Sequence, residues 1–129
     1  MESKHKNAIK LSMIWVLTDE KYGALQYADN KKVIQDIADA ISKDMVTPVS
    51  AKKWKALRDS ATAAIYLAYL DNALPKTMAA YETARYATTF TNYAVTIACA
   101  CKAYSFENSE ADWHIATTNK INELVKNSN

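Results

Sequence analysis

Small side chains recur through the middle of this chain with a spacing that places them on one side of a helix. They alternate at intervals of four and three residues, at Ala80, Ala84, Ala87, Thr91, Ala94, Ala98 and Cys101. Such a repeat follows one face of an α-helix, and small residues on that face let a neighbouring backbone approach closely. The pattern therefore predicts a helix at the centre of a packed bundle.

Large side chains form a second line beside this small-residue seam. Its members are Tyr86, Phe90, Tyr93, Ile97 and Tyr104. No charged residue stands between Tyr86 and Cys101, and bulky apolar groups fill the space beside a closely packed helix. We predict one long buried helix over about residues 76–104, in which Ala94 leaves no room for a larger side chain.

Few residues in the chain can interrupt a helix. Among 129 residues there are one glycine, Gly23, and two prolines, Pro48 and Pro75. Half of the residues are hydrophobic and 23% are charged, which is typical of a globular domain. We predict an all-α fold in a single domain, residues 1–129, with about five helices around the long central one.

Three residues mark helix starts. Ser50 and Ser109 are good N-caps because a serine hydroxyl can accept a hydrogen bond from a first-turn N–H. Pro75 suits the first turn of a helix, where its missing N–H costs nothing. Asp71 and Asn72 should end the helix that begins after Ser50.

The charge and the hydropathy of the chain argue against two classes of partner. The formal net charge is +2, and only Arg58 and Arg85 among the 16 basic residues are arginines. A nucleic-acid-binding protein usually presents a strongly basic, arginine-rich face, so no nucleic-acid partner is expected. The apolar run 13–17 is too short to span a bilayer. We therefore expect a cytoplasmic protein without a membrane partner, whose Cys99 and Cys101 are buried thiols.

No pattern typical of catalysis or of metal binding stands out. The two histidines, His5 and His114, lie at opposite ends of the chain, and Cys99 and Cys101 lack the second pair that zinc requires. A single glycine rules out a Gly-rich phosphate-binding loop. We expect no catalytic residue, no metal and no cofactor, and hence a protein that is not an enzyme. A pocket that joined His114 or a cysteine to a carboxylate would revive the enzyme interpretation.

A third face of the predicted long helix is polar but almost uncharged. It lies roughly 120–180° from the small-residue seam and comprises Arg85, Thr89, Asn92 and Thr96. A solvated face usually carries lysine and glutamate, whereas hydroxyls and an amide suit a pocket or an interface. These four residues are candidate ligand- or partner-binding residues. The alternative is that they form hydrogen bonds within the bundle and to their own helix.

Arg85 and the tyrosines sharpen this hypothesis. An arginine beside a charge-free segment needs an anion, which Glu82, Asp59, Asp71 or a bound ligand could supply. Tyrosine combines an apolar ring with a polar tip and is common in binding surfaces. Tyr81 and Tyr86 are therefore further candidates. The other tyrosines of the third helix and the long helix are Tyr66, Tyr69, Tyr93 and Tyr104.

Several segments follow one another in a characteristic order. They are Ala8-Ile9 with Trp15, the segments 32–38 and 61–64, Ala84-Arg85, the segment 98–104, and Trp113 followed by Ile121, Leu124 and Val125. In this order they resemble a known family, the Ala-rich all-helical immunity proteins found beside bacterial polymorphic toxins and in mobile elements. The resemblance implies a non-catalytic protein that binds and neutralises another molecule, such as a toxin or a defence component.

Three functional hypotheses follow from these observations. The first is an immunity- or inhibitor-type protein that occludes a protein partner. The second is a phage-type sponge that sequesters a small anionic ligand, such as a nucleotide signal, in a pocket lined by the long helix. The third is a helical structural or oligomerisation module, since a small-residue seam also supports a homodimer.

Overall fold

The protein forms six α-helices and one short 3-10 helix over residues 5–89 and 92–128, which the computed structural model describes. The α-helices are α1 (Lys6–Thr18), α2 (Lys31–Asp44), α3 (Ala51–Leu70), α4 (Pro75–Ala87), α5 (Tyr93–Ser105) and α6 (Glu110–Asn127). The 3-10 helix, Ala24–Tyr27, lies between α1 and α2. No strand occurs within these described ranges. The predicted all-α class is confirmed.

The helix starts lie where the sequence predicts them. Ser50 Oγ accepts a hydrogen bond from the backbone N–H of Lys53 at 3.1 Å, and Ser109 Oγ accepts one from Asp112 at 3.3 Å. Pro75 occupies the first turn of α4. These signals are correct because a cap involves only a residue and its near neighbours in the chain.

The predicted long helix over residues 76–104 is wrong, because this segment forms two helices. The first, α4, ends at Ala87, and the second, α5, begins at Tyr93. Lys76 Nζ, at the start of α4, lies 2.7 Å from Glu107 Oε1, just beyond the end of α5. The two helices therefore run antiparallel as a hairpin, and the bundle has six helices rather than about five.

Local chemistry explains why α4 ends at Ala87. The hydroxyls of Thr88 and Thr89 donate to α4 carbonyls at 2.7 Å and 3.0 Å, which gives these acceptors a partner outside the helical ladder. Threonine and asparagine also have low intrinsic helix propensity. The spacing of small residues carries no information about this local preference, so the pattern overestimated the length of the helix.

The small-residue seam accordingly splits into a buried part and an exposed part. The buried part on α4 comprises Ala80, Ala84 and Ala87. On α5, Ala94 and Ala98 are exposed whereas Cys101 is buried, so the predicted crowding at Ala94 is wrong. Phe90 and Thr91, which belong to the two predicted lines of residues, lie outside the described residues.

Two clusters of buried side chains form the core. The larger one lies between α2, α3 and α4 and includes Met13 and Leu17 of α1. The smaller one joins α1, α5 and α6 around Trp113, which is fully buried. Helix α4 packs against both α3 and α5. This position brings the C-terminal turn of α4, with Arg85, against the middle of α3.

Candidate functional site

The predicted polar face is distributed over two helices and their connection. Arg85 lies on α4, Thr89 and Asn92 lie in the connection, and Thr96 is fully buried on α5. Asn92 Nδ2 donates to Thr89 Oγ1 at 3.2 Å. Thr96 Oγ1 donates to the Asn92 carbonyl at 3.0 Å. Three of the four residues thus bond locally, and Arg85 is the member that reaches another helix.

Arg85 meets the other arginine of the chain where α4 crosses α3. Arg85 Nε donates to Thr62 Oγ1 at 3.0 Å, and Arg58 Nε donates to Thr88 Oγ1 at 3.2 Å. Each threonine hydroxyl donates in turn to the carbonyl of the nearby arginine in its own segment, at 2.9 Å for Thr62 and 2.7 Å for Thr88. These four residues, here called the arginine–threonine cluster, form a closed network across the two helices.

The arginine–threonine cluster has no neutralising carboxylate among the residues that the structure describes. Asp59 pairs with the lysine one turn before it, at 2.7 Å. Neither Glu82 nor Asp71 forms an ion pair with an arginine. The Arg85 guanidinium carbon lies 5.6 Å from the centroid of the Tyr86 ring, which is within cation–π range. Both guanidinium groups are half-buried, and Asp59, Glu82 and Asp71 do not neutralise their positive charges.

The side chain of Tyr81 forms hydrogen bonds within the bundle and links α4 to the start of α2. Its ring is buried, and its hydroxyl donates to Asp29 Oδ1 and accepts from the Asn30 backbone N–H at 2.7 Å. Burial, followed by the contact with Asp29, raises the pKa of Tyr81 to about 12. The same contact lowers the pKa of Asp29. A cavity of about 310 Å³ borders Tyr81 and Leu67 of α3.

The C-terminal half of α3 carries a group of exposed apolar side chains. This group, here called the α3 apolar surface, consists of Tyr66, Leu67, Tyr69, Leu70 and Leu74, with exposed fractions between 58% and 73%. No charged residue stands between Asp59 and Asp71. Single exposed apolar residues are normal on a protein surface, whereas a contiguous apolar patch marks an interaction site. Two of the tyrosines noted in the sequence thus lie on a candidate interface.

The fold also brings Cys101 of α5 to His114 of α6, a meeting that the sequence pattern does not indicate. Cys101 Sγ lies 3.6 Å from His114 Nε2, and Glu110 Oε2 lies 3.8 Å from the same nitrogen. The three residues border a cavity of about 440 Å³ between the two helices. A cysteine, a histidine and a carboxylate therefore meet, as the enzyme interpretation requires.

The orientation of these three residues differs from that of a catalytic triad. In a triad the carboxylate holds the imidazole through one nitrogen while the nucleophile bonds to the other, but here both neighbours face Nε2 of His114. Burial raises the pKa of the Cys101 thiol, so little of the nucleophilic thiolate is present at neutral pH. The geometry supports a thiol–imidazole contact rather than an activated nucleophile.

Three further features of the described ranges, residues 5–89 and 92–128, bear on the choice of site. A cavity of about 670 Å³ lies beside α2 and the 47–50 loop and is bordered by lysines and aspartates, two of which already pair with each other. Within these ranges no group of three or more His, Cys, Asp and Glu side chains is placed to hold a metal ion. Of the described helices, none combines the length and the apolar character needed to cross a membrane.

Comparison with known protein families, with curated proteins and with solved structures finds no match to this chain. The resemblance to immunity proteins therefore stays a prediction.

Proposed function

We propose that this is a non-catalytic binding protein that neutralises a partner protein by covering one of its surfaces, as immunity proteins and inhibitors do. The observation that carries the proposal is the α3 apolar surface. It places two tyrosines and three leucines in solvent on one helix and its C-terminal connection. A patch of this composition is stabilised when a partner removes it from water.

The position of this surface on a helix favours tight binding. Tyrosine rings are frequent among the residues that dominate interface energies, and each buried leucine contributes about 1.5–3 kcal/mol. Helix α3 is fixed by buried Trp54, Leu57, Ala61 and Ala64 on its other side. The exposed side chains are therefore presented on a preorganised backbone, which lowers the entropic cost of association.

The proposed partner is a toxin or a defence component in the cytoplasm. This class of partner comes from the resemblance noted in the sequence. Inhibition by occlusion requires a stable complementary surface and no turnover. The uncharged stretch between Asp59 and Asp71 fits the apolar centre of a protein interface, where charged residues are depleted.

A reconstituted complex tests this proposal. The double variant Leu67→Lys/Leu70→Lys places two charges in the α3 apolar surface and should weaken binding to the purified toxin that we expect the adjacent gene to encode about 100-fold or more. The matched control, Val46→Lys/Ile115→Lys, alters two equally exposed apolar residues elsewhere. The parent and the control should also restore growth to cells that express the adjacent gene, whereas the α3 variant should not.

Two outcomes would contradict the proposal. One is full growth rescue by the α3 variant, since the surface would then be unnecessary. The other is a parent protein that is a homodimer by native mass spectrometry and becomes monomeric in the α3 variant. That result would assign the surface to self-association and would favour a structural or oligomerisation module.

The arginine–threonine cluster favours a second candidate function, the sequestration of a small anionic ligand such as a nucleotide signal. Its two guanidinium groups have no carboxylate partner among the described residues, and the Tyr86 ring lies beside one of them. Native mass spectrometry of protein purified from cells separates the candidates. A retained small molecule favours the sponge, and an apo mass with a co-purifying protein that forms a binary complex favours the inhibitor.

A further inference from the structure

We propose that Arg58 and Arg85 together form a binding site for the phosphoryl group of a small ligand. The inference rests on the second candidate function and extends it, because it names the ligand chemistry and a second binding residue. The cluster and the α3 apolar surface consist of different residues. Failure of one proposal therefore leaves the other standing.

The two arginines of the chain are brought together by the packing of α4 on α3. Every other basic residue of the chain is a lysine, and the two arginines are 27 positions apart in the sequence. The packing of α4 on α3 brings both into one network. Arginine differs from lysine in offering a rigid planar fork of donors, which matches the oxygens of a phosphate.

Crossed hydrogen bonds between the two helices hold both arginine side chains in place. Each arginine uses Nε for a threonine hydroxyl, and Thr88, which accepts one of these bonds, is only 2% exposed. Holding Nε in place fixes the direction of the guanidinium plane and leaves the two outer nitrogens of each group for another acceptor. The network therefore orients both forks before any ligand arrives.

The electrostatic state of the cluster indicates an anion. Two like charges held in one network repel each other, and neither has a carboxylate partner within the described ranges. Lysines of the same chain, by contrast, pair repeatedly with acids. A bound anion would offset the repulsion that the fold imposes on these two side chains.

The number of donors favours phosphate over carboxylate. A carboxylate has two oxygens, which two guanidinium forks would have to share, whereas a phosphoryl group offers three oxygens and can present a separate edge to each fork. The Tyr86 ring lies beside the Arg85 guanidinium and adds an aromatic face on which a base could stack. Inorganic phosphate and a nucleotide share this chemistry, and the experiment distinguishes them.

Because the chain has two arginines, the test can observe both directly. The Nε–Hε region of a ¹H–¹⁵N spectrum should contain two arginine signals, which Arg58→Lys and Arg85→Lys assign by removing one each. Titration with inorganic phosphate and, separately, with AMP should shift both signals along one saturable curve. Sodium chloride at equal ionic strength should not do so.

Matched variants separate the site from general charge. Arg58→Gln or Arg85→Gln should weaken phosphate binding about tenfold or more, as measured by calorimetry. Lys52→Gln removes one exposed charge from the same helix and should leave binding unchanged. The two Lys variants keep the charge but lose the fork, and intermediate affinity is expected. Thermal unfolding verifies that each variant is folded before its affinity is compared.

The outcomes are decisive in both directions. Saturable shifts of both arginine signals with phosphate support the site, and tighter binding of AMP assigns it to a nucleotide. Equal affinity for AMP and phosphate supports a site for the phosphoryl group alone. Shifts that rise linearly, that chloride reproduces, or that involve only one arginine would overturn the proposal. This reading uses the parent protein and does not depend on the stability of any variant.

Discussion

At the scale of single residues, the buried ion pair between Lys10 and Asp44 stands out. Lys10 Nζ lies 2.8 Å from Asp44 Oδ2, and the two side chains are 8% and 14% exposed. Asp44 Oδ1 also accepts the Val49 backbone N–H at 2.7 Å. Burial alone would raise the pKa of Asp44, but the contacts with Lys10 and Val49 outweigh it, and the pKa lies below its ordinary value of 3.8. The pair thereby fixes α1 to the end of α2.

Removal of one partner from this pair should be costly. Asp44→Asn is expected to lower the free energy of unfolding by about 3 kcal/mol at pH 7, because it removes one charge of a buried ion pair and the charged acceptor of the Val49 backbone N–H. Asp36→Asn is the matched control. Asp36 is 42% exposed and its partner Lys32 is 80% exposed, so this ion pair should contribute less than about 0.5 kcal/mol. Urea unfolding measures both variants. Equal losses would contradict the role assigned to burial.

The same carboxylate gives the stability an acid-sensitive part. Because the folded-state pKa of Asp44 is depressed, its contribution is fully present above the unfolded-state value of about 3.8 and is lost as the pH falls through the lower folded-state value. The difference in unfolding free energy between the parent and Asp44→Asn should therefore shrink between pH 7 and pH 2. Urea titrations across this range measure it, and a constant difference would argue against the linkage.

At the scale of elements, the split of the small-residue seam between α4 and α5 makes two alanines behave differently. Ala84→Leu inserts three carbons into the closed side of α4 and should destabilise the protein by about 1–3 kcal/mol. Ala94→Leu lies on the exposed side of α5 and should change stability by less than about 0.5 kcal/mol. Thermal and urea unfolding compare the two. A large loss of stability for Ala94→Leu would show that Ala94 is crowded by a neighbour, as the single long helix predicts.

At the scale of the whole molecule, Trp113 joins the last helix to the bundle. It is fully buried, and its Nε1 donates to the Tyr22 carbonyl at 3.1 Å. Trp113→Ala is expected to lower the free energy of unfolding by about 3–5 kcal/mol. Trp113→Phe keeps an aromatic ring but loses the Nε1–H donor and part of the volume, and should cost about 1–2 kcal/mol. Circular dichroism during urea unfolding should show one transition in all three proteins. An early, separate transition that removes about one helix's share of the helical signal would mean that α6 is not part of the cooperative core.

The candidate site was only partly predictable. Arg85 could be singled out because an arginine beside a charge-free segment is visible in the chain, and Tyr66 and Tyr69 could be noted as interface residues. Arg58 could not be linked to it, because the contact depends on how α3 and α4 cross. The stripe that was expected to continue from Arg85 to Thr96 ends at the helix break.

Properties that depend on near neighbours in the chain can be deduced from the amino-acid sequence. The caps at Ser50 and Ser109, the start of α4 at Pro75 and the all-α class all follow from local hydrogen bonding and helix propensity. Which surfaces are covered was decided only by the tertiary structure. The hairpin of α4 and α5 exposes Ala94 and Ala98 of the small-residue seam, and the packing of α4 on α3 unites two distant arginines, because burial and charge proximity depend on residues far apart in the chain.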